Sequence, residues 1–381
     1  MNTLHRILQG ANFSLAGDRV FEVLRNLNDE PLFREIKIDF VPTRCNIVVE
    51  FPGPNMAQRI KVFLLNNGPL LTTITIFILV YVLGGQLYPS MQKPQVFFNL
   101  FINQASLLVV SIGMTFVIIT KGIDLSVAGM IALTSAASAS MLANGASPAV
   151  VIPMMLFIGI AFGSALGWII HFLKVEPFIV TLMGLFFARG MAYIITLEAL
   201  TINDPTYRSL ALTKVLIPFF TKEYVYIPSL VGPILLIIVF YVSFFTRFGR
   251  TVYAIGNNQQ SARLMGLPVG RTKIIVYAFS GFCSALAGIM WSISLLSGYG
   301  GYAPGMELDA IASVVIGGTL LTGGVGNVIG TLFGVLINGT IISILQFNGT
   351  LSSWWTRIGV GLLTLIFLGI QSLFYMRKKS S

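Results

Sequence analysis

Charge is scarce along most of this chain, and acid is scarcest. Only 10% of the 381 residues are Asp, Glu, Lys or Arg, whereas 55% are hydrophobic and the mean hydropathy is +0.84. That balance lies far outside the range of water-soluble domains and places most of the chain in a bilayer. Cysteine and histidine occur twice each. Cys45 falls in a segment expected in the cytosol and Cys283 in one expected in the membrane, so no disulfide is expected. His171 stands beside Lys174 at a membrane edge, where it fits a helix-end cap better than a metal ligand, and His5 is remote from it. Walker A, HExxH and nucleophile-elbow patterns are absent, which excludes ATP hydrolysis by this chain and gives no basis for covalent catalysis. No cofactor or metal site is expected. The net charge of +10 is read as inside-loop charge, with no nucleic-acid partner. No cleavable signal peptide is visible, because the first apolar segment is long enough to span and lacks a small-residue cleavage site.

Long apolar runs are what the chain has in abundance. Stretches of spanning length fall at 69–88, 97–120, 125–143, 149–172, 177–197, 226–245, 275–297, 327–346 and 357–376. A shorter apolar segment at 309–322, bounded by Asp309 and by Gly323 and Gly324, supplies either a tenth crossing or a partly re-entrant one. The fold class expected is therefore all-α, a polytopic membrane protein of about ten helices. Arg377, Lys378 and Lys379 at the C-terminus face no acid, so this end reads as cytoplasmic. Ten spans put both termini in the cytoplasm, with the mixed-charge segment 198–225 outside. Trp354 and Trp355 before the last span suit an interfacial aromatic belt.

Hydrophobicity stops once for about thirty residues, at TRFGRTVYAIGNNQQSARLMGLPVGRTKII (246–275). Arg247, Arg250, Arg263, Arg271 and Lys273 stand there without a single carboxylate. The segment is long enough for an amphipathic helix and reads as cytoplasmic. It is either a docking surface or a basic loop lying on lipid headgroups.

The first 55 residues have another composition. Six bases stand there against seven acids (Asp18, Glu22, Asp29, Glu30, Glu35, Asp39 and Glu50), whereas the remainder holds eighteen against seven. A helical pattern over 20–27 and an alternating run over 36–49 allow a small helix and hairpin, with too little apolar area to stand alone. Residues 1–55 are thus expected to be a polar extension, a poorly ordered tail or a misassigned start, and residues 56–381 the transmembrane domain. Met56, followed by AQRIK and the first span, suits a working start.

Four segments carry a resemblance: ITKGIDLSVAGMIAL (119–133), VEPFIVTLMGLFFARGMAYIIT (175–196), the basic loop, and ELDAIASVVIGGTLLTGGVGNVIGTLFG (307–334). Together they resemble the permease subunits of bacterial ABC sugar importers of the ribose type, from about residue 60 to 376. TINDPTYRSL (201–210) and FNGTLSSWWTRIGVG (347–361) look most like the branch that imports galactofuranose. The resemblance implies a multi-pass inner-membrane protein paired with a second permease chain, identical or different, around a central pathway. It also implies an ABC ATPase subunit below, which would bind the ATP and Mg, and a periplasmic sugar-binding protein above.

Residue roles follow from that likeness. The coupling helix of such permeases corresponds to Gly256–Gly266, with Asn257 or Asn258 as the N-cap. Ala262, Leu264 and Met265 would form the apolar face beside Arg263, and Pro268 would close the helix. Asp124 and Asp309 each precede an apolar helix and read as caps, with gating the other role of an acid at membrane depth; Glu307 could gate or meet the binding protein. Arg189 needs a carbonyl cluster or an acid from another span. Asn103 and Asn338 are preferred as pathway residues for a neutral sugar, although intramembrane Asn also ties helices together, and most small residues in the spans read as close helix packing. Two other functions remain open: an ion-coupled carrier with its site at the break GGVG (323–326), and an ABC permease for branched-chain amino acids.

Overall fold

The computed structural model describes residues 56–218 and 222–349, two short strands upstream and single positions between 355 and 369, with side chains from Leu70 onward. The helical pattern at 20–27 and the basic C-terminal tail lie outside the described residues, as does most of the span expected at 357–376. The chain divides into two compact units, Met1–Gly68 and Pro69–Ser381. In the first, β1 (Lys37–Ile38) pairs antiparallel with β2 (Val49–Glu50), Lys37 opposite Glu50.

The second unit is all-α in its membrane part. The helices follow the apolar runs: α1 (Met56–Leu87), which runs from the first unit into the second, then α2 (Pro94–Asn103), α3 (Ala105–Ile119), α4 (Val127–Ala143), α5 (Pro148–Phe172) and α6 (Pro177–Ile195). After β3 (Leu200–Thr201), α7 (Pro205–Leu212), β4 (Lys214–Leu216) and β5 (Tyr224–Tyr226) come α8 (Ile227–Phe245), α9 (Arg247–Asn257) and α10 (Gln259–Leu264). The chain continues through α11 (Val269–Leu295), β6 (Ser297–Gly298), α12 (Met306–Ile316) and α13 (Val328–Asn348). Six helices among the described residues are long and apolar enough to cross a bilayer, and a seventh crossing arises if the bent pair α2–α3 counts as one. Proline opens α2, α5, α6 and α7, where its missing N–H costs no helical hydrogen bond.

One expected span is bent, and the segment left open between a tenth crossing and a re-entrant one is too short to cross. The run 97–120 is broken at Gln104, where α2 and α3 meet at 56°. Gln104 is buried there and packs on Gly339 of α13, which has no side chain to keep it away. The segment 309–322 is helical only to Ile316. Eleven residues at about 1.5 Å each reach roughly half of a 30 Å hydrocarbon core. Gly317 and Gly318 then end the helix, and a glycine-rich loop leads to Asn327, whose side chain caps α13 by accepting the Ile329 N–H at 2.9 Å.

At the centre lies α3, in which every residue except Ser106 is buried. It packs against α8, α11, α12 and α13. Around it the helices approach to backbone contact. On α5, Gly159, Gly163 and Gly167 recur every fourth residue and therefore share one face. A Cβ at Gly163 would collide with the Tyr277 carbonyl oxygen of α11, and one at Gly159 would lie 2.5 Å from both Ala285 Cβ and the Gly281 carbonyl oxygen. Gly330 and Gly334 of α13 meet the carbonyls of Gly317 and Ser313 in the same manner. In lipid, apolar helices gain little by leaving one apolar solvent for another, so such close packing must supply the association. Phe157, Phe186 and Ile237, by contrast, are each about 70% exposed and turn to the bilayer side.

Gly163→Leu is expected to cost about 1–3 kcal/mol through overpacking and to lower the thermal midpoint of the purified protein. At Gly190 an added Cβ would meet nothing within 4 Å, so this position should accept alanine within about 0.5 kcal/mol.

Candidate functional site: the basic loop and its bracing

The loop 246–275 is ordered as two helices with different tasks. Thr246 turns the chain out of α8, its hydroxyl accepting the Gly249 N–H at 3.3 Å. The turn is so tight that a Cβ at Gly249 would collide with the Ser243 carbonyl oxygen. α9 then presents Arg247 and Arg250 to solvent and buries Gly249, Thr251, Val252, Ile255 and Gly256. Phe248, on the inward side, meets Phe116 of α3 edge-on at 5.8 Å between ring centroids.

α10 is the short helix expected within Gly256–Gly266. Asn258 is its N-cap, its Oδ1 accepting the Ser261 N–H at 2.9 Å, while Asn257 ends α9. Leu264 and Met265 are 83% and 67% exposed, and Arg263 beside them is exposed too. Ala262, read as part of the same apolar face, turns inward and packs with Ile255 and Val269. It anchors α10 while Leu264 and Met265 remain outside. Gly266 closes the turn with φ +76°, a left-handed conformation that glycine adopts without steric cost. Gly256 lies in α9, where a Cβ would collide with the Ile119 carbonyl oxygen and stand 2.5 Å from the Gly324 nitrogen.

Sequence reasoning missed the partners of this loop. Tyr253 Oη donates to the Gly326 carbonyl at 2.9 Å and shares a hydrogen bond with Ser243 Oγ at 3.1 Å. Burial raises the pKa of the Tyr253 phenol, so at neutral pH it retains the proton that this donation requires. Lys121 Nζ donates to the Asn257 carbonyl at 3.3 Å, and the Gly324 N–H to the Ile119 carbonyl at 2.9 Å. The glycine break, the end of α3 and the basic loop therefore meet at one end of the bundle. A tyrosine inside a basic loop carries no sequence signal of this contact, since interfacial tyrosine is common.

The acids occupy other positions. Asp124 is buried: its Oδ1 accepts the N–H and hydroxyl of Ser126 at 3.0 and 2.5 Å, and its Oδ2 the Ser280 hydroxyl of α11 at 2.6 Å. The N-cap position of α4 falls to Ser126, and that of α12 to Gly305. Glu307 and Asp309 stand in the first turn of α12, where carboxylates suit the helix dipole. Arg189 finds carbonyls, donating to Gly300 at 3.1 Å and Tyr302 at 2.6 Å. Asn103 and Asn338 are not alike: Asn103 is exposed at the end of α2, beside the break, while Asn338 is buried on α13.

Asp124→Ala should cost about 1–3 kcal/mol, because the Ser126 and Ser280 hydroxyls lose their buried acceptor. Asp124→Asn, which keeps one carbonyl oxygen, should cost less; thermal unfolding of the two variants compares them.

The family described as Branched-chain amino acid transport system / permease component matches residues 96–368. The inner membrane ABC transporter permease protein YjfF of Escherichia coli (strain K12) is 44% identical over 309 residues, spanning 80% of this chain and 92% of that protein. The fructose import permease protein FruG of Bifidobacterium longum (strain NCC 2705) is 38% identical over 308 residues, 80% of this chain and 90% of that one. The ribose import permease protein RbsC of Bacillus subtilis (strain 168) is 35% identical over 317 residues, 82% and 93% of the two chains. No solved structure matches the chain. A permease of this kind is a transport subunit and not itself an enzyme, and it works with an ATPase and a substrate-binding protein. Apolar helices and family together make this a multi-pass inner-membrane protein, and the chain belongs to the permeases of ABC sugar importers of the ribose type.

Proposed function

We propose that this permease forms, with a second permease chain, the pathway for a sugar in its furanose form, and that α10 couples the pathway to the ATPase. The observation that carries the coupling reading is the pair Leu264 and Met265, exposed beside Arg263 on a helix fixed by a cap at one end and by buried Ala262 beneath. Two large apolar side chains held out from a rigid base suit insertion into a groove on another protein better than contact with water. ATP and Mg belong to the ATPase in this scheme.

The substrate reading rests on the outer segments and on the relatives. TINDPTYRSL (201–210) resembles the galactofuranose branch, and the segment is ordered. Asp204 caps α7 by accepting the Thr206 and Tyr207 N–H groups at 2.8 and 3.0 Å, Tyr207 is fully buried, and β3 pairs with β6. A loaded binding protein could dock on such a surface. The relatives named for fructose and ribose import sugars that readily adopt five-membered rings. Along the way, Asn103 at the α2–α3 break and Asn338 on α13 are the groups assigned to the sugar hydroxyls, with affinity residing in the binding protein.

Leu264→Asp combined with Met265→Asp should leave the permease in the membrane yet abolish most uptake per ATP hydrolysed by the reconstituted complex. Normal uptake per ATP in that variant would remove the coupling assignment. Competition uptake with the full complex should favour galactofuranose over ribose, and the permease alone should show little affinity for either, since desolvating sugar hydroxyls without paired partners is costly. Transport of ribose but not galactofuranose would overturn the substrate reading.

A further inference from the structure

We infer that α9 and the glycine loop 317–326 form a rigid bracket that passes motion of the coupling segment into α3, and so to the break at Gln104; this rests on the coupling reading above. In a plain lever, the loop would pull only on the two spans it joins, α8 and α11. Here a third and a fourth attachment exist. Tyr253 Oη donates to the Gly326 carbonyl at 2.9 Å, and Lys121, just after α3, donates to the Asn257 carbonyl at 3.3 Å. The Gly324 N–H closes the triangle by donating to the Ile119 carbonyl at 2.9 Å. Between these bonds Gly256 lies against both other segments with no room for a side chain, and Phe248 abuts Phe116 one turn further along α3.

The backbone at the junction is left-handed at three positions. Lys121, Gly323 and Gly324 have φ of 63°, 77° and 78°. Lys121 follows the last turn of α3, where a left-handed residue commonly ends a helix, its N–H reaching the Ile118 carbonyl at 2.9 Å. Close-packed contacts without voids shift as units and do not deform continuously. Because α3 is buried along almost its whole length, displacement of Ile119 must travel along the helix axis. At the far end of α3 lies the 56° bend, with Gln104 seated on Gly339 and Asn103 exposed beside it. The bracket thus joins the face that meets the ATPase to the bend in a central span.

The test uses the complete transporter reconstituted with its ATPase and binding protein, and reads sugar taken up per ATP hydrolysed. Tyr253→Phe should lower this ratio about fivefold, the effect of one net hydrogen bond. Ser243→Ala, which removes the other partner of the same hydroxyl, should stay near the unaltered value; an equal fall would place the effect in the α8–α9 turn and overturn the bracket. In a second arm, Lys121→Cys and Asn257→Cys are joined by a cleavable bifunctional thiol reagent. Unbridged, the double variant lacks the Lys121 bond and its ratio falls, whereas a bracket that moves as one body recovers the ratio when bridged. Loss of uptake that returns on cleavage shows that it opens during the cycle, and the inference fails. The Leu264→Asp, Met265→Asp protein separates the two readings. Normal coupling there discards the coupling helix itself, whereas uncoupling there with an unaltered Tyr253→Phe ratio discards only the bracket.

Discussion

Backbone-to-backbone contact between helices is the constraint on which this structure depends. A soluble bundle is driven together by removing apolar surface from water, but helices in lipid exchange one apolar neighbour for another. What remains is dispersion, which falls steeply with distance and so rewards the closest approach available. Glycine supplies that approach at Gly159 and Gly163 against α11, at Gly330 against Gly317, and at Gly256 against Ile119. The first two build the scaffold. The last joins the scaffold to the loop that leaves it.

The same constraint explains why the basic loop is not simply a connector. Its exposed face carries arginines and the pair Leu264 and Met265, while its inner face repeats the packing rules of the spans: small residues against backbone, a tyrosine hydroxyl on a carbonyl, an aromatic pair. A segment with one face built for the membrane protein and another left without an apolar neighbour has the construction of an interface in waiting. The polar contacts are few, yet two of them engage the carbonyls of Asn257 and Ile119 at the ends of α9 and α3, acceptors that helix termini leave over.

Much of this was legible in the sequence, for physical reasons. A span must be long and apolar because the hydrocarbon core is thick and dry, so α5, α6, α8, α11 and α13 lie close to the runs that announce them. Arg189 had to find carbonyls or an acid, since a guanidinium at that depth cannot go unpaired, and Gly300 and Tyr302 provide carbonyls. Hydropathy could not register where an apolar run ceases to be helical. The segment 309–322 reads as one apolar stretch, but the helix ends at Gly317 and Gly318, where the neighbour on α13 is Gly330 backbone, a contact from further along the chain that a local window does not see. Ala262 illustrates the complementary difficulty: beside Leu264 and Met265 it belongs to an apolar cluster in sequence, yet it packs inward on Ile255 and Val269 while they stay exposed.

Two ionisable groups of the membrane domain, Asp124 and Arg189, are engaged by their own chain. Asp124 accepts from Ser126 and Ser280, using both oxygens, and these bonds hold the α3–α4 connection to α11. Arg189 holds the segment between β6 and α12 by two of its carbonyls. An ion-coupled site needs carboxylates that change partners within each cycle, whereas a carboxylate whose partners are hydroxyls of adjoining elements serves best when it keeps them. Asp124 and Arg189 therefore work as fastenings between elements of the membrane domain, and the large apolar side chains left exposed in the basic loop, Leu264 and Met265, stand apart from both.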